Sequence, residues 1–165
     1  MKGNAKYRDV IVAIDTYVRE ERRVGLPAMP ELSKPFALCA EAATDLSPAD
    51  TSGCWPDEWP GSKRPGVYFF FDGQLGLLYV GKASMGQVIG TRVSKYFTVD
   101  RERPEGCCPK KDHKWSSPPA YVATLTMPED RAFEAPSIEE YLIYRLDPID
   151  NTQGKSGRTP VGNTA

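Results

Sequence analysis

Two tyrosines, Tyr68 and Tyr79, are separated by ten intervening residues, with Lys82 just after the second. Arg92 and Tyr96 follow at the spacing of one helical turn, and Glu139 and Asn151 lie far downstream. Arginine is a permanently charged planar fork suited to phosphate oxygens. A helix-borne carboxylate such as Glu139 suits a hard cation that fills the rest of its octahedron with water and substrate oxygens, the habit of Mg²⁺, with Mn²⁺ as a substitute. One carboxylate alone makes a weak site, so metal is expected to bind firmly only with substrate. Two-metal catalysis is disfavoured, because Glu140 is offset from Glu139 by about 100° around a helix. Phenols beside cations are expected to have lowered pKa values, which would let one of them take a proton from water. Together these residue types suit hydrolysis of a phosphodiester, which needs a positioned water, a proton acceptor and positive charge against the phosphoryl oxygens.

The elements that must position these groups are legible from patterning. Gly66–Phe71 and Leu77–Gly81 are apolar, aromatic-rich runs around Asp72-Gly73-Gln74-Leu75-Gly76, which predicts a hairpin with a short bulged loop. Between residues 86 and 97, Val88, Ile89, Val93 and Phe97 recur at helical spacing, with Arg92 and Tyr96 on a neighbouring face. Ala120 to Met127 reads as a third strand. A further helix opens near Pro136 and stops at Asp147-Pro148. Upstream, residues 6 to 23 form an amphipathic helix with Val10, Ile14, Tyr17 and Val18 on one face, expected to pack on the sheet. Seven prolines between residues 27 and 65 forbid long elements there, although a short helix from Phe36 to Ala43 fits. Trp55 and Trp59 are expected to anchor this wrap rather than stack on bases. The expected fold is a small α/β (α+β) domain, a mixed three-stranded sheet flanked by helices. Residues 1–63 would be an extension packed on a core at 64–152, and 153–165 a mobile tail.

Gly66-Val67-Tyr68 and, after ten intervening residues, Tyr79-Val80-Gly81 resemble the paired tripeptides of the GIY-YIG nuclease family, with Val at each centre for the family's Ile. Lys82, Arg92 and Tyr96 fall where that family carries a basic residue, its helix arginine and a following Tyr or His. Glu139-Glu140-Tyr141-Leu142-Ile143, Pro148 and Asn151 are similar to its metal-binding helix and closing asparagine. The resemblance spans residues 64 to 152. It implies a free-standing metal-dependent endonuclease acting on DNA, of restriction or mobile-element type. It also implies Tyr68 as candidate base, Tyr79 and Tyr96 orienting it, and Glu139 as metal ligand. Asn151 would order the site by hydrogen bonds. A homodimer would let both strands be cut. The alternative is a catalytically inactive nucleic-acid- or protein-binding module that keeps the fold.

Composition sets the bounds. At 165 residues, 40% hydrophobic and 26% charged, the chain suits one globular domain. No apolar run approaches the roughly 18 residues of a membrane span, so no membrane partner is expected and an intracellular, cytoplasmic setting is. Net charge is −1 and the pI about 5.9, unlike a strong non-specific nucleic-acid binder. Distribution matters more: positions 82, 92, 95, 101, 103, 110, 111 and 114 are Lys or Arg, against acids at 100, 102, 105 and 112. Lys95, Arg101, Arg103, Lys110, Lys111 and Lys114 are therefore candidate substrate contacts beside the motif residues. Cys39, Cys54, Cys107 and Cys108 lack C-x-x-C spacing, and free thiols are expected rather than a zinc site with His113.

Overall fold

Every residue of the first hairpin strand, β2 (Gly66–Phe71), is buried, as its unbroken apolar run requires of a strand covered on both faces. The computed structural model describes residues 5–38, 59–99, 107–110 and 113–152. In chain order these form α1 (Tyr7–Glu20), β1 (Phe36–Ala37), β2, β3 (Leu77–Ala83), α2 (Ile89–Val93), β4 (Phe97–Val99), β5 (Cys107–Pro109), β6 (Tyr121–Thr126) and α3 (Glu134–Leu146). β2 sits between β6 and β3 in a sheet of order β1-β6-β2-β3, and every pairing is antiparallel. The expected three-stranded mixed sheet is thus corrected to four antiparallel strands. The extra strand is Phe36–Ala37, paired with Val122 and Tyr121, where a short helix was expected. A two-residue edge strand directly after Pro35 is compatible with proline's missing N–H, and no local periodicity announces it.

Alternation sorts the sheet's two faces. Val67, Phe69, Phe71, Val80, Ala123 and Leu125 pack with α1 and α3. Tyr68, Phe70 and Val122 pack with Ile89, Val93, Phe97 and Trp59. α1 buries Val10, Ala13, Ile14 and Tyr17, as its amphipathic pattern requires. Tyr17 lies 5.2 Å from Tyr141 between ring centroids and its hydroxyl is 3.0 Å from that of Ser137, so α1 packs on α3. Glu134 at the start of α3 accepts bonds from Arg22 and Arg131, a buried triad tying the end of α1 to the start of α3. The hairpin loop is held by Asp72, whose Oδ1 accepts the N–H groups of Gln74 and Gly76, both at 2.8 Å.

Two further elements differ from expectation. The helix expected over 86–97 is only Ile89–Val93, because Met85 and Gly86 take positive φ and Val88 is extended. Phe97, expected at the end of that helix, instead begins a small antiparallel ladder in which it pairs with Pro109. Trp59 is buried and stands edge-on to Phe97, the anchoring role expected of it. Residues 39–58, 100–106, 111–112 and 153–165, with Trp55, Arg101, Arg103 and Lys111, lie outside the described residues.

Candidate active site

The hairpin brings the two tyrosines onto one face. Tyr68 pairs with Gly81 across the ladder and Tyr79 with Phe70. Gly81 is needed there: a Cβ at this position would lie 2.4 Å from Tyr68 Cζ and 2.5 Å from its hydroxyl. Gly66, at φ 151°, lets β2 approach β6, since a Cβ would meet Leu125 O at 2.2 Å. The Tyr68 ring is fully buried among Phe70, Tyr79 and Tyr96, and its hydroxyl has no hydrogen-bond partner. α2 starts where the carbonyls of Arg64 and Ser62 accept the N–H groups of Ile89 and Gly90. This fixes the helix on the same face, and Arg92 projects from it towards the phenols, with its Nε buried and unpartnered. Tyr96, in the turn after α2, donates to the Tyr79 hydroxyl at 3.0 Å.

Lys82 and Glu139 form the other half of the site. Lys82 pairs with Val67 across the ladder, on the face that α3 covers, and its ammonium binds the Glu139 carboxylate. Glu139 is near enough to Tyr79 for its charge to oppose ionisation of that phenol. Glu140, next in the chain, faces solvent, as its angular offset requires. Asn151 is buried and pairs with the backbone of Val80: Oδ1 accepts the Val80 N–H at 2.9 Å, and Nδ2 donates to the Val80 carbonyl at 2.8 Å. With the Asp150 N–H on the Leu78 carbonyl at 2.9 Å, this closes the free edge of β3. Asn151 is thus bonded to the strand that carries Tyr79.

The phenols behave opposite to the expectation of lowered pKa. Burial, reinforced by the neighbouring phenols, pushes Tyr68 well above the ordinary tyrosine range, and the Arg92 guanidinium only partly offsets this. Tyr79 is raised too, by burial first, then by the Tyr96 hydrogen bond and the Tyr96 and Glu139 charges. Desolvation of a phenolate in an aromatic pocket outweighs one nearby cation. Lys82 is not that cation, because Glu139 engages it. Near neutral pH Tyr68 and Tyr79 are therefore hydrogen-bond donors rather than phenolates.

The candidate substrate contacts divide. Lys95 and Lys114 are exposed and Lys110 is half-buried, all beside the aromatic face, while Arg101, Arg103 and Lys111 lie outside the described residues. Two residues without an assigned role in the sequence complete that face. His113, the chain's one histidine, stands edge-on to Tyr96 at 5.0 Å and to Tyr79 at 6.5 Å, and Trp115 packs on it at 4.1 Å. The available signal was a lone His and Trp in a basic, proline-flanked stretch, too weak to assign either.

Glu139 is the one carboxylate of the site that could hold a hard divalent cation, with water and substrate oxygens completing its shell, and here that carboxylate is engaged by Lys82. Among the described residues no three His, Cys, Asp or Glu side chains converge on one point, so a cage made only of protein groups is not offered. No helix among the described residues is long and apolar enough to cross a membrane. No protein-family model, curated protein or solved structure matches the chain.

Proposed function

We propose that this chain is a metal-dependent endonuclease of GIY-YIG type that hydrolyses DNA phosphodiester bonds. The observation that carries the reading is the gathering of Arg92 and Tyr68, each with a buried polar atom lacking a partner, with Tyr79 and Tyr96 on one face of the sheet, while the Glu139 charge reaches Tyr79 from the other. Unpaired buried donors are costly, roughly 1–3 kcal/mol each, unless a ligand satisfies them. A phosphoryl group offers the acceptor oxygens and the negative charge that these donors lack.

In this reading the Arg92 guanidinium neutralises charge building on the phosphoryl oxygens, an effect strongest where water is excluded. Tyr68 and Tyr79, held neutral, donate hydrogen bonds that orient the phosphate and the attacking water. Glu139 is the ligand of a divalent cation, which when bound would supply Lewis-acid neutralisation of phosphate charge. Lys82 holds the Glu139 carboxylate in place and stands ready to face phosphate. Lys95, Lys110 and Lys114 supply sequence-independent contacts to the backbone.

The test is incubation of supercoiled plasmid and of duplex and branched DNA with Mg²⁺, Mn²⁺ or EDTA. Metal-dependent cutting is expected, lost in Glu139→Ala and Arg92→Ala with folding retained, and kept in Glu140→Ala. One observation favours a second reading: the Glu139 carboxylate is already engaged by Lys82. A folded wild type that binds DNA yet never cuts it would make this ion pair a scaffold, and the chain a binding module.

A further inference from the structure

The phenols, the guanidinium and the ammonium of this site are hydrogen-bond donors, which leaves the reaction short of a proton acceptor. Arg92 and Lys82 are cations, Glu139 is occupied, and Tyr68 and Tyr79 hold their protons. Imidazole is the side chain that most often serves as a general base. The one imidazole of the chain borders this site.

His113 is fixed there from several directions. Its N–H donates to the Lys110 carbonyl at 3.2 Å. Its ring packs on Trp115, which stacks in turn on Phe97 with planes 15° apart. The next residue, Ser116, donates its N–H to Asp150 at 3.1 Å and its hydroxyl to the same carboxylate at 3.1 Å. Asp150 belongs to the segment that closes the β3 edge, so the His113 loop and the Tyr79 strand share one anchor. The titratable groups packed against the ring are Tyr79 from β3 and Tyr96 from the turn after α2, while the following Lys114 points to solvent. Among the described residues no carboxylate pairs with His113, and the side chain is only half-buried, so a water can reach it. Trp115 Nε1 beside it is a further buried donor without a partner.

Resting on the nuclease reading, we propose that His113 is the general base of this site, its imidazole taking the proton of the attacking water. The water oxygen bonds to phosphorus as its proton passes to a ring nitrogen. The bond from phosphorus to the leaving oxygen breaks with its electron pair, and the alkoxide takes a proton from solvent. The imidazolium then returns its proton to solvent, so the enzyme is regenerated and one water is consumed.

The experiment is single-turnover cleavage of a labelled duplex with saturating Mg²⁺ across pH, for wild type, His113→Phe and His113→Ala. Phe retains an aromatic ring against Trp115 and Tyr96 but cannot titrate. The expected result is a fall of about 10²- to 10⁴-fold in the cleavage rate for both variants. The acid limb of the profile should disappear, and added imidazole should restore rate to His113→Ala alone. A His113→Phe enzyme with the wild-type rate and acid limb would overturn the base assignment while leaving the nuclease standing. Wild type that does not cut overturns both.

Discussion

Asn151→Ala separates a residue that positions the site from one that touches substrate. The side chain makes two bonds, to the N–H and the carbonyl of Val80, and both backbone groups point away from β2 at the sheet's free edge. Alanine removes donor and acceptor together and leaves two backbone groups without partners beneath a residue that is 5% exposed. An unsatisfied buried group costs about 1–3 kcal/mol. Water reaching the vacated edge lowers that, so a loss of about 2–4 kcal/mol is expected for the pair. At about 2–4 °C per kcal/mol for a chain of this size, Tm should fall by roughly 4–16 °C.

Urea unfolding followed by circular dichroism measures the loss directly, and Asn151→Asp refines it. Aspartate keeps an acceptor for the Val80 N–H but sets a carboxylate against the Val80 carbonyl. Its penalty should therefore ease as acid protonates it and restores a donor. A loss below about 0.5 kcal/mol for Asn151→Ala, within the range of ordinary surface substitutions, would refute the edge-closure argument. Cleavage assayed well below Tm gives the second readout. Asn151→Ala should retain reduced metal-dependent cutting where Glu139→Ala retains none. Equal loss in the two would mean that Asn151 contacts the substrate itself.

Gly81→Ala should destabilise by about 1–3 kcal/mol, because the added methyl meets a Tyr68 ring packed on several sides. It should lower kcat more than it raises KM, and unchanged kinetics would remove Tyr68 from the reaction. Glu134 predicts a pH effect: burial opposes its charge, but hydrogen bonds from Arg22 and Arg131 outweigh burial and lower its pKa. Its contribution is thus fully present above the unfolded carboxylate value of about 4.3 and is lost as pH falls through the folded value. Glu134→Gln, which removes the one charge that two buried guanidinium groups share, should cost about 3–5 kcal/mol at neutral pH, measured by urea titration. That difference should shrink in acid, and one that stayed constant down to acid unfolding would count against the triad.

The hairpin, β6 and α3 were legible because each carries its own signal: apolar runs, Asp-Gly punctuation, and a helix stopped by Asp147-Pro148. Asp147 takes φ 44°, ψ 58°, the left-handed stop that a following proline accompanies. β1 was not legible, because two residues become a strand only through pairing with β6. The β4–β5 ladder likewise joins Phe97 to Pro109 across residues that show no alternation. The direction of the phenol shifts was missed for a related reason. Sequence shows that cations stand near Tyr68 and Tyr79, but burial of the rings depends on which elements close over them. His113 was visible only as a possible zinc ligand beside Cys107 and Cys108, and its place against Tyr96 follows from a tie, Ser116 to Asp150, between distant segments.

β3 explains why the site lies where it does. Alternation sends Tyr79 and Gly81 to the α2 face and Val80 and Lys82 to the α3 face, so Tyr79 and the Lys82–Glu139 pair begin on opposite sides of the sheet. Groups on opposite faces can serve one phosphate only around a free edge, and in the order β1-β6-β2-β3 the strand carrying them is that edge. An open edge also invites pairing with another chain. Asp150 and Asn151 close it at Leu78 and Val80 and stop there. Among the described residues no backbone group closes the edge at Lys82. The protected part of β3 is therefore the part that holds Tyr79 in place, and the uncovered part is where Lys82 meets Glu139. A phosphodiester backbone approaching at that point would meet the ammonium and carboxylate first, with Arg92 and the phenols behind.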